Sequence, residues 1–328
     1  MKEAVKRLLD NKKRTVPILS FPATELLGVT VEDLVTSSEL QAKGMAANYE
    51  RGLMGALVTP MDLSVEAECF GAEIRMDEND VPTVEKPLID DIMDAADVEV
   101  PEIMSGRSGV FIEGTRLAKE VIKDTPVFCG AIGPYSLAGR LFDMTELMME
   151  CFDSPDEVKI LLSKTTEFII KYIKAHKEAG AQGVILAEPA AGLLSPSLCG
   201  EFSCDYVKQI VDAVSDENFV FCYHNCGGSV PACIDEIKEI NADVYHFGNA
   251  VDISKVIDKL PKDSVVMGNI DPLIFRDGTK EDIIREVDRV FDLYGNYENF
   301  MISSGCDIPA TSKWENIDAY FARVAEKY

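Results

Sequence analysis

The 328-residue chain reads as an α/β protein, a (β/α)8 TIM barrel with a β-hairpin inserted after the second strand. Two observations carry that expectation. Short apolar β-like runs alternate with helix-period segments along the whole chain. Several of those runs end directly in polar, chemically reactive residues, as strands do at the C-terminal rim of such a barrel. A doubly wound open sheet is the rival, disfavoured because no Gly-rich dinucleotide fingerprint follows the first strand.

Residues 15–21 and 56–59 are the first two strands, with a helix over 31–51 between them, capped at Thr30. After Pro60 the pattern breaks into the hairpin, 69–75 returning through 81–85 around a turn at 77–80. Helices fill 89–121. A third strand, 126–132, precedes one helix from Tyr135 and a longer one over 156–179. The remaining strands are 183–187, 219–223, 243–247, 264–268 and 299–303. Helices near 197–214, 230–240, 253–260 and 280–294 separate them, and 314–326 closes the chain. No Pro/Gly/Ser linker, charge run or internal repeat marks a boundary, so residues 1–328 are expected to form one domain.

At 47% hydrophobic the chain can bury a large core. Its formal charge of −25, from 32 basic and 57 acidic residues, disfavours nucleic acid and anionic membrane surfaces as partners. The N-terminal ten residues form a charged amphipathic pattern without an apolar h-region, so no signal peptide is expected. All apolar runs are much shorter than a membrane span. Nine cysteines, an odd number scattered without framework spacing, fit a reducing cytoplasm.

The chemistry concentrates at strand ends. His224 and Cys226 follow the run 219–223, and Cys306 follows 299–303. One imidazole and two thiolates suit tetrahedral Zn²⁺, and three protein ligands leave a fourth position open, as in catalytic zinc sites. A His-x-Cys pair alone says little, and a single histidine is more often structural. The convergence of two strand ends is what makes these three a candidate metal site. Glu188, Asp62 and Asp271 also follow strands. Glu188 has two readings, a helix cap or rim ion pair on one side and a metal role on the other. Asp62 is divided between a helix cap and catalysis. Cys222 and Cys129 fall inside strands as core, and the other five cysteines read as small apolar fillers.

Met267-Gly-Asn-Ile-Asp-Pro272 and Ser304-Gly-Cys-Asp-Ile-Pro309, followed by Glu315-Asn316, resemble the uroporphyrinogen decarboxylase superfamily, whose fold is a (β/α)8 barrel. Within it, His224-x-Cys226 with the distant Cys306 is similar to the zinc motif of the corrinoid-dependent methyltransferases, the methylcobamide:coenzyme M enzymes and their bacterial relatives. Residues 60–68 resemble the same branch. The resemblance implies that His224, Cys226 and Cys306 bind zinc and that Glu188 is a replaceable fourth ligand. Glu188 and Asp62 are then the candidate catalytic carboxylates. It also implies a methylated corrinoid carried by a cognate corrinoid protein, and a small thiol such as coenzyme M as acceptor.

The chain departs from the decarboxylase branch where charge matters. A tetrapyrrole with eight carboxylates needs cations at the barrel mouth, yet no arginine occurs between Arg14 and Arg51, and Glu25 follows the first strand. Decarboxylation also gives two thiolates no task. Zinc with two cysteinates and a neutral imidazole carries no net charge. It is a poor Lewis acid for carbonyls, but it can hold a thiol and lower its pKa. Exchanging the Glu188 carboxylate for a thiolate would leave the total charge unchanged. A basic group for a sulfonate is then needed, and Arg140 and Arg276 are the nearest by position. The alternatives are a folate acceptor, a decarboxylase-like lyase and a non-catalytic zinc-stabilised accessory protein of a corrinoid system.

Overall fold

The computed structural model describes residues 1–11, 15–51 and 54–328. Strand β1 (Leu57–Val58) is followed by β2 (Ile74–Arg75) and β3 (Thr83–Val84), which pair with each other antiparallel in a separate small ladder. Then come β4 (Val127–Ile132), β5 (Gly183–Ala187), β6 (Val220–Asn225), β7 (Val244–Phe247), β8 (Val265–Ile270) and β9 (Phe300–Ser304). Strands β1 and β4 to β9 form one parallel sheet in chain order, each paired with the next. Helices in the connections cover its outer face. All six strands from β4 to β9 are buried throughout, which is why they read as continuous apolar runs rather than alternating ones.

The core divides by strand parity. Ile185, Ala187, Val220, Cys222, Val244 and Met301 belong to a cluster inside the barrel. Val184, Leu186, Phe221 and Tyr223 belong to the larger cluster between sheet and helices. The helix Glu3–Asp10 turns Val5 and Leu8 into the inner cluster.

Residues 15–21, expected as the first strand, are buried beside the sheet but have no ladder. Val16 and Ile18 still point into the barrel interior. Pro17 has no N–H to give a neighbour, and side chains take over the pairing. Ile18 N donates to Ser304 Oγ at 3.1 Å, Ser303 Oγ donates to Val16 O at 2.9 Å, and Thr15 Oγ1 donates to Ile302 O. On the other flank Gly55 N donates to Thr15 O at 2.9 Å. The barrel is therefore closed between β9 and β1 by this segment, a seam of hydroxyl–backbone bonds to β9 and a backbone bond to Gly55 ahead of β1.

Other boundaries moved by a few residues. Thr30 caps Val31–Thr36 with a reciprocal box to Asp33, as its sequence position suggests. Cys69, expected to open the hairpin, instead ends the short helix Val65–Cys69. Strand β6 runs through His224 and Asn225, so the candidate metal-ligating histidine lies in the strand rather than after it. Among the described residues, no helix is long and apolar enough to cross a membrane.

Candidate metal centre

Side chains two apart on a strand share a face. On β6, Val220 and Cys222 point into the barrel, and His224 and the following Cys226 continue that series toward the C-terminal rim. His224 is buried, while Cys226 and Cys306 are half-buried. All seven other cysteines are buried and every cysteine is a free thiol, so the two that reach the rim are these.

Two glycines let the ligand-bearing loops close. A Cβ on Gly248, just past β7, would lie 2.7 Å from Cys226 Cα, and one on Gly305 would lie 2.7 Å from Asn249 N. Asn269, at the end of β8, ties down the loop between them by donating to Gly248 O at 3.1 Å and Val251 O at 2.5 Å. Asn225 Oδ1 accepts from Gly227 N at 2.8 Å, which fixes the turn that carries Cys226.

The ligand atoms of His224, Cys226 and Cys306 all lie within 4.8 Å of one another. Cys306 Sγ is 3.6 Å from His224 Nε2. Tetrahedral zinc with Zn–S of about 2.3 Å and Zn–N of about 2.0–2.1 Å sets that edge at about 3.6 Å, so the pair has the spacing of two zinc ligands. The sulfur chemistry agrees. The contact with Cys306 holds the Cys226 thiol below the usual thiol range, while the same contact, with burial, pushes Cys306 up. A cation between the two sulfurs would favour the ionised form of both. The donor set therefore fits a soft divalent metal.

Behind the triad stands a second histidine. In the sheet His224 is paired with His246, and Tyr223 with Tyr245. The two Nδ1 atoms are 2.7 Å apart, and His224 Nδ1 is 3.2 Å from the His246 carbonyl oxygen. His246 Nε2 lies 3.0 Å from Ser303 Oγ. Burial pushes His246 well below the usual histidine range. The sequence reading passed over His246. The repeated Tyr-His dipeptide in adjacent strands was the signal for it.

Glu188 is not in the triad, and parity is the reason. Ala187 faces inward, so Glu188, one residue on, faces the helix Pro134–Leu141. Its carboxylate accepts from Tyr135 N at 3.0 Å, Ser136 N at 2.7 Å and Ser136 Oγ. In this structure it caps that helix, and the expected metal-ligating position is not reached. Burial raises it to about 7 against these hydrogen bonds.

Asp62 is also occupied. It accepts from Ser64 N at 2.9 Å and Ser64 Oγ at 2.6 Å, and it pairs with the buried Arg107. Arg107 Nε reaches Glu68 at 2.6 Å, so the segment at 62–68 is stitched to the helix Ser108–Val121. Beside it, buried Glu66 accepts from Ile132 N at 2.9 Å and is raised to about 7 by burial. Asp271 accepts from Leu273 N in an exposed turn, and Arg276 pairs with the adjacent Asp277.

The chain is 26% identical over 317 residues to the methylcobamide:CoM methyltransferase MtbA of Methanosarcina acetivorans, covering 92% of this chain and 90% of that one. It is 24% identical over 319 residues to a uroporphyrinogen decarboxylase of Hydrogenovibrio crunogenus, covering 93% and 88%. A solved methyltransferase from Methanosarcina mazei superposes with a TM-score of 0.86 at 25% identity, covering 99% of both chains. The family described as Uroporphyrinogen decarboxylase (URO-D) matches residues 3–327. The chain belongs to the uroporphyrinogen decarboxylase family.

Proposed function

We propose that the protein is a zinc-dependent methyltransferase, moving a methyl group from a methyl-Co(III) corrinoid on a partner protein to a small thiol of the coenzyme M type. The observation that carries this reading is the convergence of one buried imidazole and two half-buried thiols at the barrel rim, with zinc-ligand spacing between Cys306 and His224. The names of similar proteins support the methyl donor and acceptor: MtbA is a methylcobamide:CoM methyltransferase, and the M. mazei structure is a methyltransferase.

His224, Cys226 and Cys306 would hold Zn²⁺, which when bound supplies an electrophile that keeps a substrate thiol ionised near neutral pH. The chain's own part is orientation. His224 is anchored from inside the barrel and the thiols are fixed by the Gly248 and Gly305 approaches, so an acceptor sulfur meets a site that does not rearrange. The acceptor sulfur gains the methyl carbon, and the Co–C bond electrons stay on cobalt as Co(I). The helix Ala23–Leu27, beside the rim, brings Glu25 and no arginine, which disfavours a polycarboxylate substrate.

The test combines zinc content with demethylation of methylcobalamin in the presence of coenzyme M. We expect about one zinc per chain, turnover that needs both thiol and metal, and loss of both in Cys306→Ala with the barrel still folded. Full metal retention in that variant, or decarboxylation of uroporphyrinogen by zinc-free protein, would overturn the reading. Turnover with a folate instead of any thiol would move the acceptor.

A further inference from the structure

We propose that His246 and Ser303 are positioning residues that fix the tautomer of His224, leaving its Nε2 lone pair free at the rim. This deepens the zinc reading above and rests on it for its consequence, though not for its geometry.

The inference is a matter of counting protons along a buried chain. Val16 O, Ser303 Oγ, His246 and His224 follow one another at 2.9 Å, 3.0 Å and 2.7 Å. A carbonyl only accepts, so the 2.9 Å contact needs the Ser303 proton. With that proton given away, Ser303 Oγ must accept from His246 Nε2–H. The 2.7 Å contact between the two Nδ1 atoms needs one proton, and His224 supplies it, because its Nδ1 also lies 3.2 Å from the His246 carbonyl oxygen, which only accepts. His246 Nδ1 is then the bare acceptor. His224 is thereby Nδ1–H, and its Nε2 carries the lone pair that faces Cys306 Sγ at 3.6 Å.

The opposite polarity fails at two places. Ser303 donating to His246 would leave Ser303 Oγ and Val16 O facing each other without a proton. It would also make His224 Nδ1 a bare acceptor 3.2 Å from the His246 carbonyl oxygen. Buried acceptor–acceptor contacts of this kind each forfeit a hydrogen bond and add repulsion. The polarity is thus set at the seam, by the backbone carbonyl of Val16 ahead of Pro17, and transmitted through two side chains to the metal-facing nitrogen. Partners of this sort on metal-binding histidines raise affinity by orienting the ring and fixing the tautomer.

The experiment uses the metal-free full-length protein at neutral pH, with ¹⁵N-labelled histidine and two-bond ¹H–¹⁵N correlation. Three histidines give three imidazoles to resolve. We expect His224 as the Nδ1–H tautomer and His246 as Nε2–H. In Ser303→Ala the His224 signals should shift toward a tautomer mixture, and zinc affinity by chelator competition should fall about 10–100-fold. A wild-type His224 in the Nε2–H form overturns the inference, and so does a Ser303→Ala protein with tautomer and affinity unchanged. If Ser303→Ala does not fold, the wild-type tautomers alone decide. Wild-type protein that binds no zinc yet shows Nδ1–H on His224 would sink the proposed function and leave the relay standing.

Discussion

Gly248 stands against Cys226 with no room for a side chain: a Cβ there would lie 2.7 Å from both the Cα and the Cβ of Cys226 and 2.9 Å from its carbonyl oxygen. Two of these atoms are backbone and the Cβ is held rigidly to it, so none can swing aside. Gly248 is the means by which the exit of β7 comes close enough to support the ligand turn after β6.

Gly248→Ala should therefore displace Cys226 from the triad. We expect a stability loss of about 1–3 kcal/mol from overpacking and a larger proportional loss in zinc affinity. Denaturant unfolding beside zinc titration checks this. Wild-type zinc affinity in the variant would mean that the turn relaxes freely and that the close approach is not a constraint.

The seam makes a second prediction. Ser304 Oγ is the acceptor for the buried N–H of Ile18, and in Ser304→Ala that donor has no replacement in the strand geometry. Leaving it unsatisfied should cost about 1–3 kcal/mol. Hydrogen exchange at the Ile18 amide should rise in step, because the seam has few backbone bonds of its own. Unchanged protection at Ile18 would show that some other group closes the barrel there.

The same seam shows why parts of the molecule were legible in the sequence and parts were not. The convergence of His224, Cys226 and Cys306 could be read because ligand-type residues stood directly after apolar runs, and strand ends of a barrel converge whatever their separation. The segment at 15–20 had the apolar content of a strand, but Pro17 denied it a donor, and its partners were serine hydroxyls that no propensity describes. For Glu188 the sequence left a helix cap and a metal role both open; the run 183–187 was correctly bounded, and parity favours the cap, because Ala187 takes the inward face and sends Glu188 outward to Pro134–Leu141. His246 had no role assigned from the sequence, and only the strand register pairs it with His224.

Glu66 should give the protein a pH dependence of definite sign. Its carboxyl is buried, and burial raises it from 4.5 to about 7. Between those values the folded chain holds a proton there that the unfolded chain has lost, so unfolding releases it and stability falls as pH rises. Above about pH 7 both states are ionised and this contribution is flat. Glu66→Gln removes the titration. The variant should therefore gain on wild type by up to about 3 kcal/mol across pH 4.5 to 7, read as the difference between two sets of denaturation curves. A difference that does not change with pH would mean that Glu66 is ionised in the folded protein throughout.

Asp62 offers the sharpest separation of a structural from a catalytic carboxylate. Both of its oxygens are engaged, one by Ser64 and the other by Arg107, and Arg107 is itself shared with Ser64 and Glu68. Asp62 and Arg107 are 4% and 6% exposed, so neither can turn to water if its partner is removed. Breaking a buried pair from one side costs about 3–5 kcal/mol because a bare charge remains. We expect Asp62→Ala and Arg107→Ala each to lose stability on that scale, and the double variant to lose less than the sum. Zinc bound per folded chain should be unaffected in all three. Methyl transfer should then fall only as the folded fraction falls. The contrary pattern, a stable Asp62→Asn protein with full zinc and no turnover, would return Asp62 to the reacting atoms and make Arg107 its positioning partner.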